Sequence, residues 1–213
     1  MCEAHQAQHH VVFLSFKDIY AGDYSQALER LATRIGREAK RLGISSFAEL
    51  DEDELAAIRK LSNETATENN VADSLYLITS ALFRHYGKKA IVLIDEYDAP
   101  VNHAYQMKYY DDMVRLFRGL LGQALKSNPY VEFAVMTGVL RLSKDSIFSD
   151  LNNIRVYSAL EPQYSARFGF TESEVLEMLK YCGLDERMQG MKEFYDGCRH
   201  LVHKRNPQCR NHN

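Results

Sequence analysis

Tryptophan is absent from the 213 residues, and cysteine and proline occur only four times each. Cys2, Cys182, Cys198 and Cys209 are too few and too scattered for a disulfide scaffold. That suits a reducing compartment, so the chain is expected in the cytoplasm. Long hydrophobic runs are missing too: Val11 to Phe16 falls far short of the roughly 20 apolar residues that a membrane span needs. The stretch ahead of it lacks the charged-then-apolar pattern of a signal peptide, so no membrane association is expected. Nor is there an excess of either charge. Lys and Arg number 26 against 29 Asp and Glu, a formal net charge of -3, which argues against nucleic acid or anionic lipid as a partner held by bulk electrostatics. What the chain does have is apolar material, 46% of its residues, enough for one packed domain with a small appendage and too much for a disordered chain.

The apolar positions alternate between two patterns. Val11 to Phe16 is short, β-branched and aromatic, as a buried strand is. Asp23 can cap a helix carrying Tyr24, Ala27, Leu28, Leu31, Ile35 and Leu42 at three- and four-residue spacing, ended by Gly43. An acidic helix is expected from about Ser46 to Leu61, and a third helix carries Val71, Leu75, Ile78 and Leu82 on one stripe. Gly87-Lys88-Lys89 turns the chain into Ala90-Ile91-Val92-Leu93-Ile94, which reads as a central parallel strand buried on both faces. Another helix holds Met113, Leu116, Phe117, Leu120, Leu121 and Leu125 and stops before Asn128-Pro129; Val131 to Gly138 is a further strand. Strands alternating with helices predict an α/β fold with a mostly parallel sheet and ligands at the strands' carboxyl edge.

Beyond Leu151 the pattern changes. A short strand is expected over Arg155 to Leu160, and Thr171-Glu172-Ser173-Glu174 is a capping box opening a helix through Leu179. The expected organisation is therefore an unstructured stretch over 1–10, an α/β core over 11–153, a small helical lid over 154–197 and a disordered tail over 198–213. No internal repeat is present.

The sharpest chemical signal is Ile91-Val92-Leu93-Ile94-Asp95-Glu96, an aliphatic run closed by two carboxylates. This is the pattern of a Walker B strand. One carboxylate, Asp95, would help hold Mg²⁺, a hard cation that prefers oxygen ligands and keeps several waters. The other, Glu96, turned elsewhere by strand alternation, would orient and deprotonate the water that attacks a γ-phosphate. Against this stands a purely structural role, in which acidic residues end a strand and cap the helix opening near Pro100; for Asp98 that role is preferred. Thr137 ends the next strand and would lie beside Asp95 if the two strands are neighbours. Arg141 and Lys144, three apart, could meet phosphate charge, although most exposed basic residues are simply solvated. The phosphate cradle Gly-x-x-x-x-Gly-Lys-Ser/Thr is missing. Gly87-Lys88 has Leu82 five positions before the glycine and Lys89 after the lysine.

The residues resemble those of the bacterial AAA-ATPase-like domain proteins, a P-loop ATPase type often followed in longer chains by a PD-(D/E)xK nuclease-like domain. The resemblance runs from about Val11 to Gly197. It rests on Phe13-Leu14-Ser15-Phe16-Lys17-Asp18, Val92 to Pro100, Thr137-Gly138-Val139-Leu140-Arg141, Ser146 to Asn153, Phe168 to Glu172 and Phe194-Tyr195-Asp196-Gly197. It implies a P-loop ATPase core with Asp95 and Glu96 as the Walker B pair, Thr137 in the sensor position, and ATP and Mg²⁺ as cofactors. Such proteins begin with a phosphate loop ahead of the first strand found here, and continue past Tyr-Asp-Gly differently from Cys198 to Asn213. The expectation is thus an ATPase-like core truncated at its N-terminus, with ATP hydrolysis impaired in this chain.

Two other readings stand beside it. One is a non-catalytic interaction fragment that recruits a protein partner, or itself, through the incomplete sheet. The other is a metal-dependent nuclease using Asp95, Glu96 and Asp98, although no lysine follows at the spacing such nucleases use. Cys198, His200, His203, Cys209 and His212 could in principle ligate zinc, but their spacings fit no standard site. Glu49, Asp51, Glu52, Asp53 and Glu54 read as a solvated acidic face.

Overall fold

A computed structural model describes residues 8–63, 65–126, 128–139, 154–158 and 170–195. The chain divides into two compact units, Met1–Asn153 and Ile154–Asn213.

In the first unit three strands form a parallel sheet: β1 (Val11–Ser15), β2 (Ala90–Asp95) and β3 (Val131–Met136), in that spatial order. β2 is central, as its continuous aliphatic run suggests. Its register sets Phe13 beside Leu93 and Ser15 beside Asp95 on one side, and Leu93 beside Val135 on the other. Parallel neighbours need helical crossovers, and the sequence supplies them. Helix α1 (Tyr24–Arg41) starts at Asp23, whose carboxylate accepts the Gln26 N–H, and ends before Gly43, which adopts the left-handed conformation. Helix α2 (Glu52–Ser62) opens with a capping box between Asp51 and Glu54. Helix α3 (Glu68–Tyr86) buries Val71, Leu75, Ile78 and Leu82 along its expected stripe and stops at left-handed Gly87. Helices α4 (Ala99–Gln106) and α5 (Tyr110–Leu125) connect β2 to β3.

The acidic helix starts later than its composition suggests. Residues 44–46 make a single 3₁₀ turn, and Asp51 captures the Glu54 N–H, so that the helix nucleates at Glu52. Glu49 is left outside it and its carboxylate meets the His85 ring at 3.0 Å.

Strand alternation divides the sheet into unlike faces. Val12, Leu14, Ala90, Val92 and Ile94 are buried on one face, and α1, α3 and α5 pack against β1, β2 and β3 respectively. On the other face Phe13, Phe133 and Val135 are each about half exposed, and Ile91 and Leu93 are only partly covered. The expectation that β2 is buried on both faces is therefore corrected: its burial alternates, because the described helices that bear on the sheet pack against one side.

Helix α1 also protects the outer edge of β1. Glu38, 7% exposed, accepts the Phe13 N–H at 2.7 Å, while Arg41 pairs with Glu38 and donates to the Val11 carbonyl at 2.8 Å. A salt-bridged pair thus takes the place of a neighbouring strand.

In the second unit, α6 (Glu172–Tyr181) opens with the Thr171–Glu174 capping box, and α7 (Met188–Tyr195) follows a 3₁₀ turn at Asp185–Arg187. No strand forms over residues 154–158, where one was expected; residues 159–160 lie outside the described residues. The tail residues Cys198, His200, His203, Cys209 and His212 also lie outside them.

Candidate functional site

The carboxyl ends of the three strands bring together side chains far apart in sequence. Asp95 closes β2, Ser15 closes β1 and Thr137 follows β3. Ser15 Oγ donates to Asp95 Oδ2 at 3.2 Å, and Thr137 Oγ1 donates to Asp95 Oδ1 at 2.6 Å. Each oxygen of the carboxylate therefore accepts from a hydroxyl at the end of a flanking strand, or just past it. Three backbone bonds hold this arrangement in register: Phe16 N–H to the Asp95 carbonyl at 2.9 Å, Thr137 N–H to the Ile94 carbonyl at 2.9 Å, and Tyr97 N–H to the Thr137 carbonyl at 3.0 Å. Asp95 is only partly buried and Thr137 is exposed, so the edge is accessible to solvent.

Glu96 departs from the strand geometry expected of it. The strand ends at Asp95, and Glu96 has φ +53°, one of two non-glycine residues with positive φ among the described residues. Glu96 thus sits in a left-handed turn just past the strand, where strand alternation no longer applies. The next residue donates its N–H to the Thr137 carbonyl directly after that turn. A side-chain-bearing residue in this conformation costs roughly 1–2 kcal/mol.

Asp98 occupies the N-cap position of α4 with Pro100 in the first turn, but its side chain does not cap the helix. It is 2% exposed and accepts from the Val139 N–H at 3.3 Å and from the Asn102 amide at 3.2 Å. The capping role expected of it is thus corrected: the carboxylate joins the turn after β2 to the segment after β3. The loop after β1 is fixed separately, its Ala21 carbonyl accepting from both Tyr109 OH and His103 Nε2 at 3.0 Å. Burial raises the Tyr109 phenol above its ordinary value, keeping that donor protonated.

Asp95, Glu96 and Thr137 are thus brought to one edge, whereas Arg141 and Lys144 lie outside the described residues. Ser15 was missed by sequence reasoning. Its signal was positional: a polar residue ending the first apolar strand at the same end as Asp95 in the second.

The family model described as predicted AAA-ATPase matches residues 2–148. The chain belongs to the AAA-ATPase-like family. Its site therefore lies within the family's domain, and both corrections above, at Glu96 and Asp98, fall inside the matched stretch. A curated relative, an uncharacterized protein in the vnfD 5′ region of Azotobacter chroococcum mcd 1, is 36% identical over 90 residues. Those residues are 42% of this chain and 17% of that protein, so the chain spans a minor part of the relative's length. No solved structure gives a significant match.

The fit of the family's expected cofactors can be judged on the oxygens present. One carboxylate bracketed by two hydroxyls is a hard-oxygen set suited to Mg²⁺, which usually takes one or two protein carboxylates and completes its shell with water and phosphate oxygens. Among the described residues no cluster of three or more His, Cys, Asp or Glu could hold a metal by itself.

Proposed function

We propose that the carboxyl edge of the sheet binds Mg²⁺-ATP and that the domain hydrolyses its γ-phosphate. The observation that carries this reading is the 2.6 Å hydrogen bond between Asp95, at the end of β2, and Thr137, just past the neighbouring parallel strand β3, with Glu96 immediately beyond. Bound Mg²⁺ would neutralise phosphate charge developing during transfer. Asp95, oriented by Ser15 and Thr137, would hold the metal's water shell. Thr137 also remains able to accept a hydrogen bond from the attacking water, since its own proton is committed to Asp95. Glu96 would take the proton of that water at its carboxylate. Arg141 and Lys144, a few residues past Thr137, would supply charge to the phosphates.

No Gly-x-x-x-x-Gly-Lys-Ser/Thr stretch occurs in the 213 residues. Such a loop provides much of the N–H and lysine contact to a triphosphate. Turnover by this chain alone is therefore slow. We place the protein in the cytoplasm, in keeping with its few cysteines; among the described residues no helix is long and apolar enough to cross a membrane.

The test is Mg²⁺-dependent ATP hydrolysis by this chain and by a longer form carrying a phosphate-binding loop ahead of β1. The longer form should turn over faster, and Glu96→Gln should slow it about 100-fold or more. A longer form whose rate is the same with glutamine at 96 would refute the assignment.

A second reading, an interaction module that pairs with a second copy of itself, is favoured by the half-exposed Phe13, Phe133 and Val135 on one sheet face. Lys89 immediately precedes β2 and is exposed, and Asp95 closes the strand, so a basic and an acidic residue stand at its two ends. Antiparallel two-fold packing would set them opposite each other. Sedimentation of the chain as a monomer at high micromolar concentration would exclude this pairing.

A further inference from the structure

Asp98 is buried and ionisable, yet neither capping nor the proposed chemistry uses its carboxylate. Its Oδ1 accepts the Val139 N–H, and the residue between Thr137 and Val139 is Gly138. A Cβ built on Gly138 would stand 2.6 Å from that same Oδ1 and 2.8 Å from the Tyr97 ring. Such separations are impossible for real atoms, so a glycine here allows the segment after β3 to lie directly on the turn after β2. The Tyr97 N–H bond to the Thr137 carbonyl, at 3.0 Å, joins the same two segments from the other direction. The Asn102 amide, one helical turn along α4, holds the second carboxylate oxygen.

We propose that Asp98 and Gly138 form a positioning clamp that locks the Thr137 hydroxyl onto Asp95, so that the acidic turn and the end of β3 behave as one rigid unit during nucleotide hydrolysis. This rests on the ATPase reading for its kinetic consequence, but the clamp itself is a property of the chain without nucleotide. Asp98 touches neither metal nor phosphate in this account. It acts by fixing the backbone at Val139, two residues from the threonine that it serves. The left-handed Glu96 adjoins the same contacts, since the Tyr97 N–H that follows it donates to the Thr137 carbonyl.

The experiment compares Asp98→Ala, Asp98→Asn and Gly138→Ala with the parent chain by amide hydrogen exchange, and measures ATP turnover on the longer form described above. Asp98→Ala and Gly138→Ala should speed exchange at Tyr97, Thr137 and Val139 about 10-fold or more, while amides in the middle of α3 and α5 keep their protection. Asparagine, which retains the Oδ1 acceptor, should restore most of the local protection. In the kinetic arm, Asp98→Ala should lower kcat about 10-fold with KM for ATP held within about 2-fold, and asparagine should recover much of the loss. Unchanged exchange at the three amides, or an equal rise throughout the core, overturns the clamp. So does a kcat that survives Asp98→Ala intact. Local exchange changes without ATP turnover by any form would leave the clamp standing and refute the ATPase reading instead.

Discussion

Glu96→Gly separates the backbone role of this position from its side-chain role. At φ +53° the parent residue carries the left-handed penalty, roughly 1–2 kcal/mol, which glycine does not. Glycine's greater freedom in the unfolded chain takes back about 0.5–1 kcal/mol, leaving a net stabilisation of about 0.5–1 kcal/mol. For a chain of this length the change corresponds to a rise in Tm of about 1–4 °C. Glu96→Ala, which keeps a Cβ and so the strain, should show no such rise. Lys108, the other described non-glycine residue with positive φ (+66°), supplies the control. Lys108→Gly should raise Tm by a similar amount and leave ATP turnover untouched, whereas Glu96→Gly should raise Tm and abolish turnover. Differential scanning calorimetry with a coupled phosphate assay reads both. If Glu96→Gly lowers Tm, the strain argument fails; if it leaves turnover intact, the proposed base is wrong.

Two further outcomes follow from contacts outside the site. Glu38→Ala should cost about 2–3 kcal/mol in urea unfolding at unchanged m, because Phe13 N–H and Arg41 both lose a charged acceptor; a loss below about 0.5 kcal/mol would mean that water replaces the carboxylate fully. His10 stacks on Tyr86 at 3.7 Å, and its burial, then Lys88, lowers its pKa. The folded state then binds fewer protons than the unfolded chain, so this contribution is complete above about pH 6.5 and is lost as the pH falls through the folded value. His10→Phe should flatten that part of a Tm-against-pH curve; an unaltered slope below pH 6.5 would contradict the assignment.

The elements were readable wherever local chemistry decides them. Apolar runs marked the three strands, Asp23 and Thr171 marked helix starts, and Gly43 and Gly87 marked stops, since each depends on residues within one turn of itself. Asp95 beside Thr137 was readable only as a consequence of strand adjacency, which a parallel α/β order makes probable but does not encode. Ser15 reaches Asp95 across 80 positions through the β1–β2 register, and no local pattern announces it. The left-handed turn at Glu96 and the partners of Asp98 were hidden for a related reason: alternation and capping describe isolated elements, whereas the turn after β2 is hydrogen-bonded to the segment after β3. The uncovered sheet face was hidden because an aliphatic strand looks the same whether one or both sides are packed.

Docking of Mg²⁺-nucleotide where Ser15, Asp95 and Thr137 meet is the proposal to be tested most directly. Paramagnetic broadening of backbone amide signals by Mn²⁺-ATP detects even millimolar binding and needs no turnover. Signals of Ser15, Asp95, Glu96, Tyr97 and Thr137 should broaden first, and Asp95→Asn together with Thr137→Ala should abolish the effect. Broadening confined to other parts of the chain, or none at these five residues at millimolar Mn²⁺-ATP, would contradict it.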